Sequence, residues 1–195
     1  MAGVIELLGV FVGSFLLNMI PFAGPSNLFI ASGAALAVDS DPLTIGLLVA
    51  LGSALAKFIH YIVTFFLGFF IGQERRKRLD VASKKLRRWA PLALFVVAAS
   101  PLPDEPVVIP LGLMKYNPAK FFFAYFLGKL LIGVVGAYLG LLWGNVLSPF
   151  ASDQVLMVAS IVLTVIITII LLKVDITKLA ERILKRKLKW EQVSD

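Results

Sequence analysis

Residues 100–110, Ser-Pro-Leu-Pro-Asp-Glu-Pro-Val-Val-Ile-Pro, place four prolines and two adjacent carboxylates inside an apolar run from Pro91 to Met114. Proline lacks a backbone donor and clashes with the preceding turn, so it disrupts a helix interior. The run therefore cannot be one straight helix through a bilayer. Irregular backbone at membrane depth is tolerated only where protein or a water-lined cavity satisfies it, and an ionisable residue at that depth marks a functional site by default. The stretch reads as a broken, re-entrant hairpin with Asp104 and Glu105 at its turn. The competing reading is a spanning helix that ends at Ser100, followed by a polar surface loop.

The surrounding composition makes the membrane the relevant solvent. Of 195 residues, 59% are hydrophobic and 16% charged, with a mean hydropathy of +0.91. That is the profile of an all-α, multi-pass membrane protein with no room for a soluble domain. The absence of cysteine excludes disulfides, thiolate metal sites and a cysteine nucleophile. A net charge of +7 could suggest nucleic acid, but fifteen of the nineteen basic residues fall in two blocks, 75–88 and 173–189. Both blocks adjoin apolar spans, as expected for cytoplasmic segments that meet anionic lipid headgroups. The N-terminus carries Glu6 and lacks the basic start of a signal peptide, so it reads as mature structure.

Along the chain, Val4–Ile20 is an apolar segment ending at Pro21. Pro21, Gly24 and Pro25 then break it, and Leu28–Val38 resumes an apolar run too short to cross a bilayer, which makes a first candidate re-entrant segment. Asp41-Pro42 has the form of a helix cap followed by proline at the first helical position, opening a span to about Gly72. Residues 73–89 read as a basic amphipathic helix at the interface. Asn117-Pro118 is a second cap, opening a helix to about Asn145. A last span over 155–172 and a basic amphipathic tail over 173–195 complete a single membrane domain covering 1–195.

If both basic blocks are cytoplasmic, the chain between them crosses an even number of times. The helices Pro118–Asn145 and Val155–Leu172 supply two crossings, so Pro91–Pro110 enters and leaves on one side. Leu67–Gly72 also resembles Leu139–Gly144 at a shift of 72, which pairs Lys57 with Lys129. Residues 4–72 and 90–145 thus read as two copies of hairpin plus long helix, running in opposite directions. Inverted repeats with broken helices are a transporter architecture.

The residues able to carry chemistry are few. Ser53, Lys57, His60 and Thr64 share one helix face, and Tyr125 and Lys129 share another. An unpaired lysine at mid-bilayer is costly; Asp104 and Glu105 are the only carboxylates in the second hairpin and the natural partners for Lys57 or Lys129. Two alternatives remain: a closed structural ion pair, or lysines that snorkel to the interface. His60 either shares a proton with this group or makes an interhelical hydrogen bond. No zinc-protease, phosphate-loop or nucleophile-elbow motif occurs, so neither enzyme activity, metal nor cofactor is expected.

The stretch from Ser100 to Gly140, with Ile109-Pro110-Leu111-Gly112-Leu113-Met114-Lys115-Tyr116-Asn117-Pro118-Ala119-Lys120-Phe121-Phe122, then Gly128-Lys129 and Ala137-Tyr138-Leu139-Gly140, resembles the DedA/VTT superfamily of SNARE-associated Golgi protein type. Pro21–Gly33 is consistent with its first half. The resemblance implies two facing re-entrant hairpins and movement of phospholipids or polyprenyl-phosphate carriers between leaflets, with a proton requirement in some members. Where the family usually has an acid in the first hairpin, this chain has Ser26 and Asn27; where it often has arginines in the second, this chain has Asp104 and Glu105. A small multidrug-export family has similar hairpins.

Together these features lead to an expected lipid scramblase or flippase in a prokaryotic cell membrane, with basic loop and C-terminus cytoplasmic. The alternatives are a proton- or ion-coupled small-solute exporter using the same site, and a non-transporting membrane scaffold. The expected transport site comprises Asp104, Glu105, Lys57, Lys129, His60, Ser26 and Asn27. Pro21, Gly24, Pro25, Pro101, Pro103, Pro106 and Pro110 shape the hairpins. Expected partners are membrane lipids, with anionic headgroups at the basic helices, and a second copy of the chain.

Overall fold

The computed structural model describes residues 3–21, 24–70 and 89–147. The basic helix expected over 73–89, apart from Trp89, and the span and tail expected over 155–195 lie outside the described residues. Six helices and no strand occur among the described residues: α1 Val4–Asn18, α2 Asn27–Ala37, α3 Pro42–Leu67, α4 Trp89–Ala98, α5 Glu105–Leu113 and α6 Pro118–Leu147. Only α3 and α6 are long and apolar enough to cross a membrane, at 26 and 30 residues.

Local sequence sets most boundaries. Asp41 accepts hydrogen bonds from the backbone N–H groups of Leu43 and Thr44, with Pro42 at the first helical position. Asn117 does the same for Lys120 N–H at 3.0 Å, ahead of Pro118. Glu6 returns a bond to Gly3 N–H at 2.9 Å and closes the start of α1. Pro110 departs from the simple expectation that each proline ends a helix: α5 continues through it to Leu113. The helix is only nine residues long, and the turn beyond it is closed by Lys115 N–H to Gly112 C=O and Tyr116 N–H to Leu111 C=O. Lys115 holds the left-handed conformation (φ 51°) that such a helix end requires.

The helices assemble by an exchange between halves. α1 packs on α3 and α4 packs on α6, where Gly128 meets Phe95 and Ala98, each within its own half. The second arm of each hairpin crosses over, α2 onto α6 and α5 onto α3. Glycines make these approaches possible. A Cβ at Gly52 would sit 2.5 Å from the Phe11 carbonyl oxygen in α1, and one at Gly128 would sit 2.5 Å from the Phe95 carbonyl oxygen in α4. At the crossed contacts, Gly68 meets the Leu113 carbonyl at the end of α5, and Gly144 meets Leu36 near the end of α2. Small residues at such crossings let backbones come together in an apolar solvent.

Gly52/Gly128, Gly68/Gly144 and the caps Asp41/Asn117 are each 76 residues apart. The repeat register is therefore 76, not the 72 suggested by Leu67–Gly72 and Leu139–Gly144. A slip of four is close to one helical turn and preserves the face, so glycine spacing alone could not distinguish the two. In the structural register Ser53, rather than Lys57, is the counterpart of Lys129.

Burial is inverted relative to a water-soluble bundle. Leu47, Leu55, Ile59, Val63 and Phe66 are exposed along α3, as are Phe123, Leu127, Leu131, Val135, Tyr138 and Leu142 along α6. Meanwhile Lys57, Asp104, Glu105 and Lys129 are buried. Charged residues are almost never fully buried unless paired.

Candidate functional site

The site forms where the second hairpin turns back between the two long helices. α4 ends at Ala98, a bent turn carries Pro101 and Pro103, and Asp104 then precedes α5 as its cap residue with Glu105 the first helical residue. Both carboxylates then point into the groove between α3 and α6. Lys57 Nζ lies 3.3 Å from Asp104 Oδ1 and donates a hydrogen bond to Glu105 Oε1. Lys129 Nζ lies 2.9 Å from Asp104 Oδ2, the same oxygen that accepts the Tyr125 hydroxyl proton. All four charged residues are 4% exposed. Two ammonium groups balance two carboxylates, so the cluster is formally neutral.

This balance is the condition for burying charge at all. A lone carboxylate or ammonium in an apolar interior carries a desolvation cost of several kcal/mol, which close pairing and further hydrogen bonds must offset. Both oxygens of Asp104 are engaged, by two lysines and a tyrosine. Lys57 bridges the two acids. Any competing anion that engaged either lysine would displace a carboxylate rather than occupy a free position.

A second polar group adjoins the first along α3. Ser14 Oγ donates to the Val49 carbonyl at 2.8 Å, Asn18 Nδ2 donates to the Ser14 carbonyl at 2.9 Å, and Ser53 Oγ donates to Asn18 Oδ1 at 3.1 Å. Ser53 lies one turn from Lys57 on the same face of α3, so this network adjoins the ion cluster. These side chains were legible only as isolated polar residues in an apolar helix. Their i, i+4 spacing (Ser14 and Asn18) was the signal that they share a face.

The remaining expected site residues separate. His60 Nε2 lies 3.1 Å from the Met19 carbonyl at the end of α1 and makes no hydrogen bond to either carboxylate; it pins the first hairpin to α3. Ser26 caps α2, its hydroxyl accepting from Leu28 N–H at 3.3 Å. Asn27 is wholly buried at the start of α2, and neither its amide nitrogen nor its amide oxygen has a hydrogen-bond partner. Pro21, Gly24 and Pro25 lie in the break between α1 and α2, where a Cβ at Gly24 would meet the Leu17 carbonyl at 2.8 Å. Pro101 and Pro103 lie in the turn between α4 and α5; Pro106 sits in the first turn of α5 and Pro110 in its interior. No group of three potential metal-binding side chains occurs among the described residues.

The hairpins approach this level from opposite ends of α3. α2 ends beside the start of α3, to which a short turn joins it, and its buried Ala31 and Ala35 pack with Ile45, Val49 and Ala137. α5 ends beside Gly68, at the far end of α3. Each second arm therefore begins near the middle of the long helix, where Ser53 and Lys57 lie. Two short helices, each preceded by a proline-rich break, thus start mid-way along two long ones. The VTT domain matches residues 20–142, well over half of the chain. The chain belongs to the VTT-domain family.

That family is the DedA/SNARE-associated Golgi protein family, and it is membrane-associated. In this VTT-domain protein the matched region takes in α2 to α5 and most of α6, so it contains all four charged residues of the cluster. No curated protein sequence and no solved structure gives a significant match to the chain.

Proposed function

We propose that this VTT-domain protein is a multi-pass membrane lipid transporter of scramblase or flippase type, in which phospholipid or polyprenyl-phosphate headgroups cross beside two re-entrant hairpins. The observation that carries the reading is the buried Lys57–Asp104–Glu105–Lys129 cluster, held between the two helices long enough to cross a bilayer. The outward stripes of leucine, valine and phenylalanine on α3 and α6 face lipid. The polar groups line the inside. A headgroup crossing hydrocarbon must shed its water, and a charged group at the bilayer centre costs at least about 3 kcal/mol even on the most permissive scale. Ammonium groups at the half-way level lower that barrier for a phosphate, while the carboxylates keep the lysines paired when no headgroup is present.

Acyl chains need no protein path, since they remain in lipid while the headgroup passes. This is the economy of a small bundle with a lateral polar groove. The test is equilibration of a fluorescent phospholipid between leaflets of liposomes containing the purified protein. Wild-type protein is expected to exceed empty vesicles, and Asp104→Ala/Glu105→Ala to slow the exchange at least tenfold. Exchange no faster than in empty vesicles would remove the lipid reading. Solute efflux driven by a pH gradient in that same preparation would favour a coupled small-solute exporter using the same site.

A further inference from the structure

Glycine weakens a helix interior relative to alanine, and in this fold helix glycines stand where another backbone comes close: Gly46 against Val134, Gly136 against Leu28, Gly140 against Ser32. Gly9 and Gly13 differ. They lie four apart on one face of α1, and a Cβ at either would have nothing within 4 Å among the described residues. Ile5, Val12 and Leu16 flank them and are exposed. The opposite face of α1 is already engaged, with Ser14 and Asn18 buried against α3. Two glycines between large apolar side chains make a shallow groove of the kind that receives a second helix in lipid.

The chain itself supplies an occupant. α1 and α3 run in the same direction, since Ser14 bonds to the Val49 carbonyl and His60 to the Met19 carbonyl. α6 runs the other way: Gly133 lies beside Gly46, and Phe121 stacks on Tyr61 at 4.2 Å. Leu147 therefore leaves the bundle at the end where α1 begins. From there residues 148–154 lead to an apolar run, 155–172, that carries no charge. The other long segment outside the described residues, 71–88, joins the opposite end of α3 to α4 and carries eight basic residues. Within 155–172, Ser160, Thr164 and Thr168 recur every four residues, the spacing of Gly9 and Gly13. Gly9 is the sixth residue of α1, and Ser160 is the sixth of the apolar run. We propose that residues 155–172 dock as a helix on the Gly9–Gly13 face of α1, parallel to it, with Ser160 over Gly9 and Thr164 over Gly13. Small hydroxyl side chains let the two backbones approach, and their oxygens meet the glycine Cα–H groups. α1 is then held between α3 and this segment, which gives the first hairpin a wall on each side. Running this way, the segment also delivers the seven basic residues of 173–189 to the end where the 75–88 block lies, in keeping with the charge rule. The inference does not depend on what the protein transports.

The experiment is disulfide cross-linking of the full-length chain in membranes, which the absence of native cysteine makes clean. Val12→Cys, at the edge of the groove, is combined in turn with Ser160→Cys, Thr164→Cys, Val162→Cys and Ile166→Cys and treated with a mild oxidant. Linked peptides in the monomer-sized species are quantified by mass spectrometry. Positions 160 and 164 are expected to link to position 12 at least tenfold faster than positions 162 and 166, which fall on the opposite face of a helix. Equal rates at all four positions, or no link within the monomer, would overturn the docking. A disulfide-linked dimer in place of the intrachain link would assign the face to a second copy and overturn it as well. Gly9→Leu/Gly13→Leu gives an independent check, since leucine there meets nothing among the described residues but fills the groove. It is expected to slow the 12–164 link at least tenfold, whereas Gly9→Ala/Gly13→Ala, which keeps small residues at both positions, leaves the link largely intact. A link as fast with the leucines as without them would contradict the proposal.

Discussion

At the scale of single residues, the central feature is that four buried charges are stable only as a set. Lys57 is shared by Asp104 and Glu105, so removing it leaves the two adjacent acids with one cation between them. Truncating one partner of a buried pair typically destabilises by about 3–5 kcal/mol. Lys57→Met is expected to lower stability by that order in denaturant unfolding, and Lys57→Met/Glu105→Leu to recover most of the loss. A double variant no better than Lys57→Met would mean that the pair is not coupled. Tyr125→Phe removes only one hydrogen bond to a charged group, worth about 1.5–3 kcal/mol, and should therefore destabilise less than Lys57→Met in the same measurement. The pairing was legible in the sequence because the chain has so few charges inside its apolar runs. The role of Tyr125 was not, since a tyrosine on a helix face reads equally as packing until Asp104 is placed beside it. His60 was ambiguous for the same reason: its partner is a backbone carbonyl, which no sequence pattern marks.

At the scale of elements, the fold is governed by where backbones touch. Gly52 and Gly128 occupy equivalent crossings in the two halves, and a methyl group at either would come within 2.5 Å of a carbonyl oxygen. Gly52→Ala and Gly128→Ala are each expected to destabilise by about 1–3 kcal/mol, the usual cost of overpacking. Gly9 and Gly13 in α1 have nothing within 4 Å of a would-be Cβ. Alanine there should be neutral or stabilising by up to about 1 kcal/mol, because it favours helix. Melting temperatures of the four variants check the contrast; equal losses at all four would remove the crossings as the cause. Helix starts were readable because caps are local chemistry: Asp41-Pro42 and Asn117-Pro118 stand at the boundaries observed. The register between the halves was not, because glycine spacing repeats every turn and only tertiary contacts choose among the slips. Pro110 was misleading in a similar way, since a nine-residue helix tolerates a proline whose lost bond a longer, exposed helix would miss.

At the scale of the whole molecule, two hairpins pack on a two-helix frame from opposite ends, and the second arm of each starts near its middle. The 26 residues of α3 span about 39 Å, which exceeds the roughly 30 Å of a hydrocarbon core. Lys57 is the sixteenth of those residues, counting from Pro42, and so falls near the mid-plane of a bilayer that α3 crosses. Proline position in the sequence marked both helix breaks; the parity of crossings draws on segments beyond the described residues. The absence of cysteine permits the most direct test: single cysteines at Ser40, Ala119 and Leu102, labelled in sealed membranes with an impermeant maleimide from each side. The account predicts that the cysteine at 40 labels from one side only and the cysteine at 119 from the other. At position 102, in the turn between α4 and α5, labelling should come from neither side but proceed with a lipid-soluble maleimide. Rapid labelling of position 102 by the impermeant reagent, at a rate matching 40 or 119, would place the acidic turn in bulk water and contradict the account.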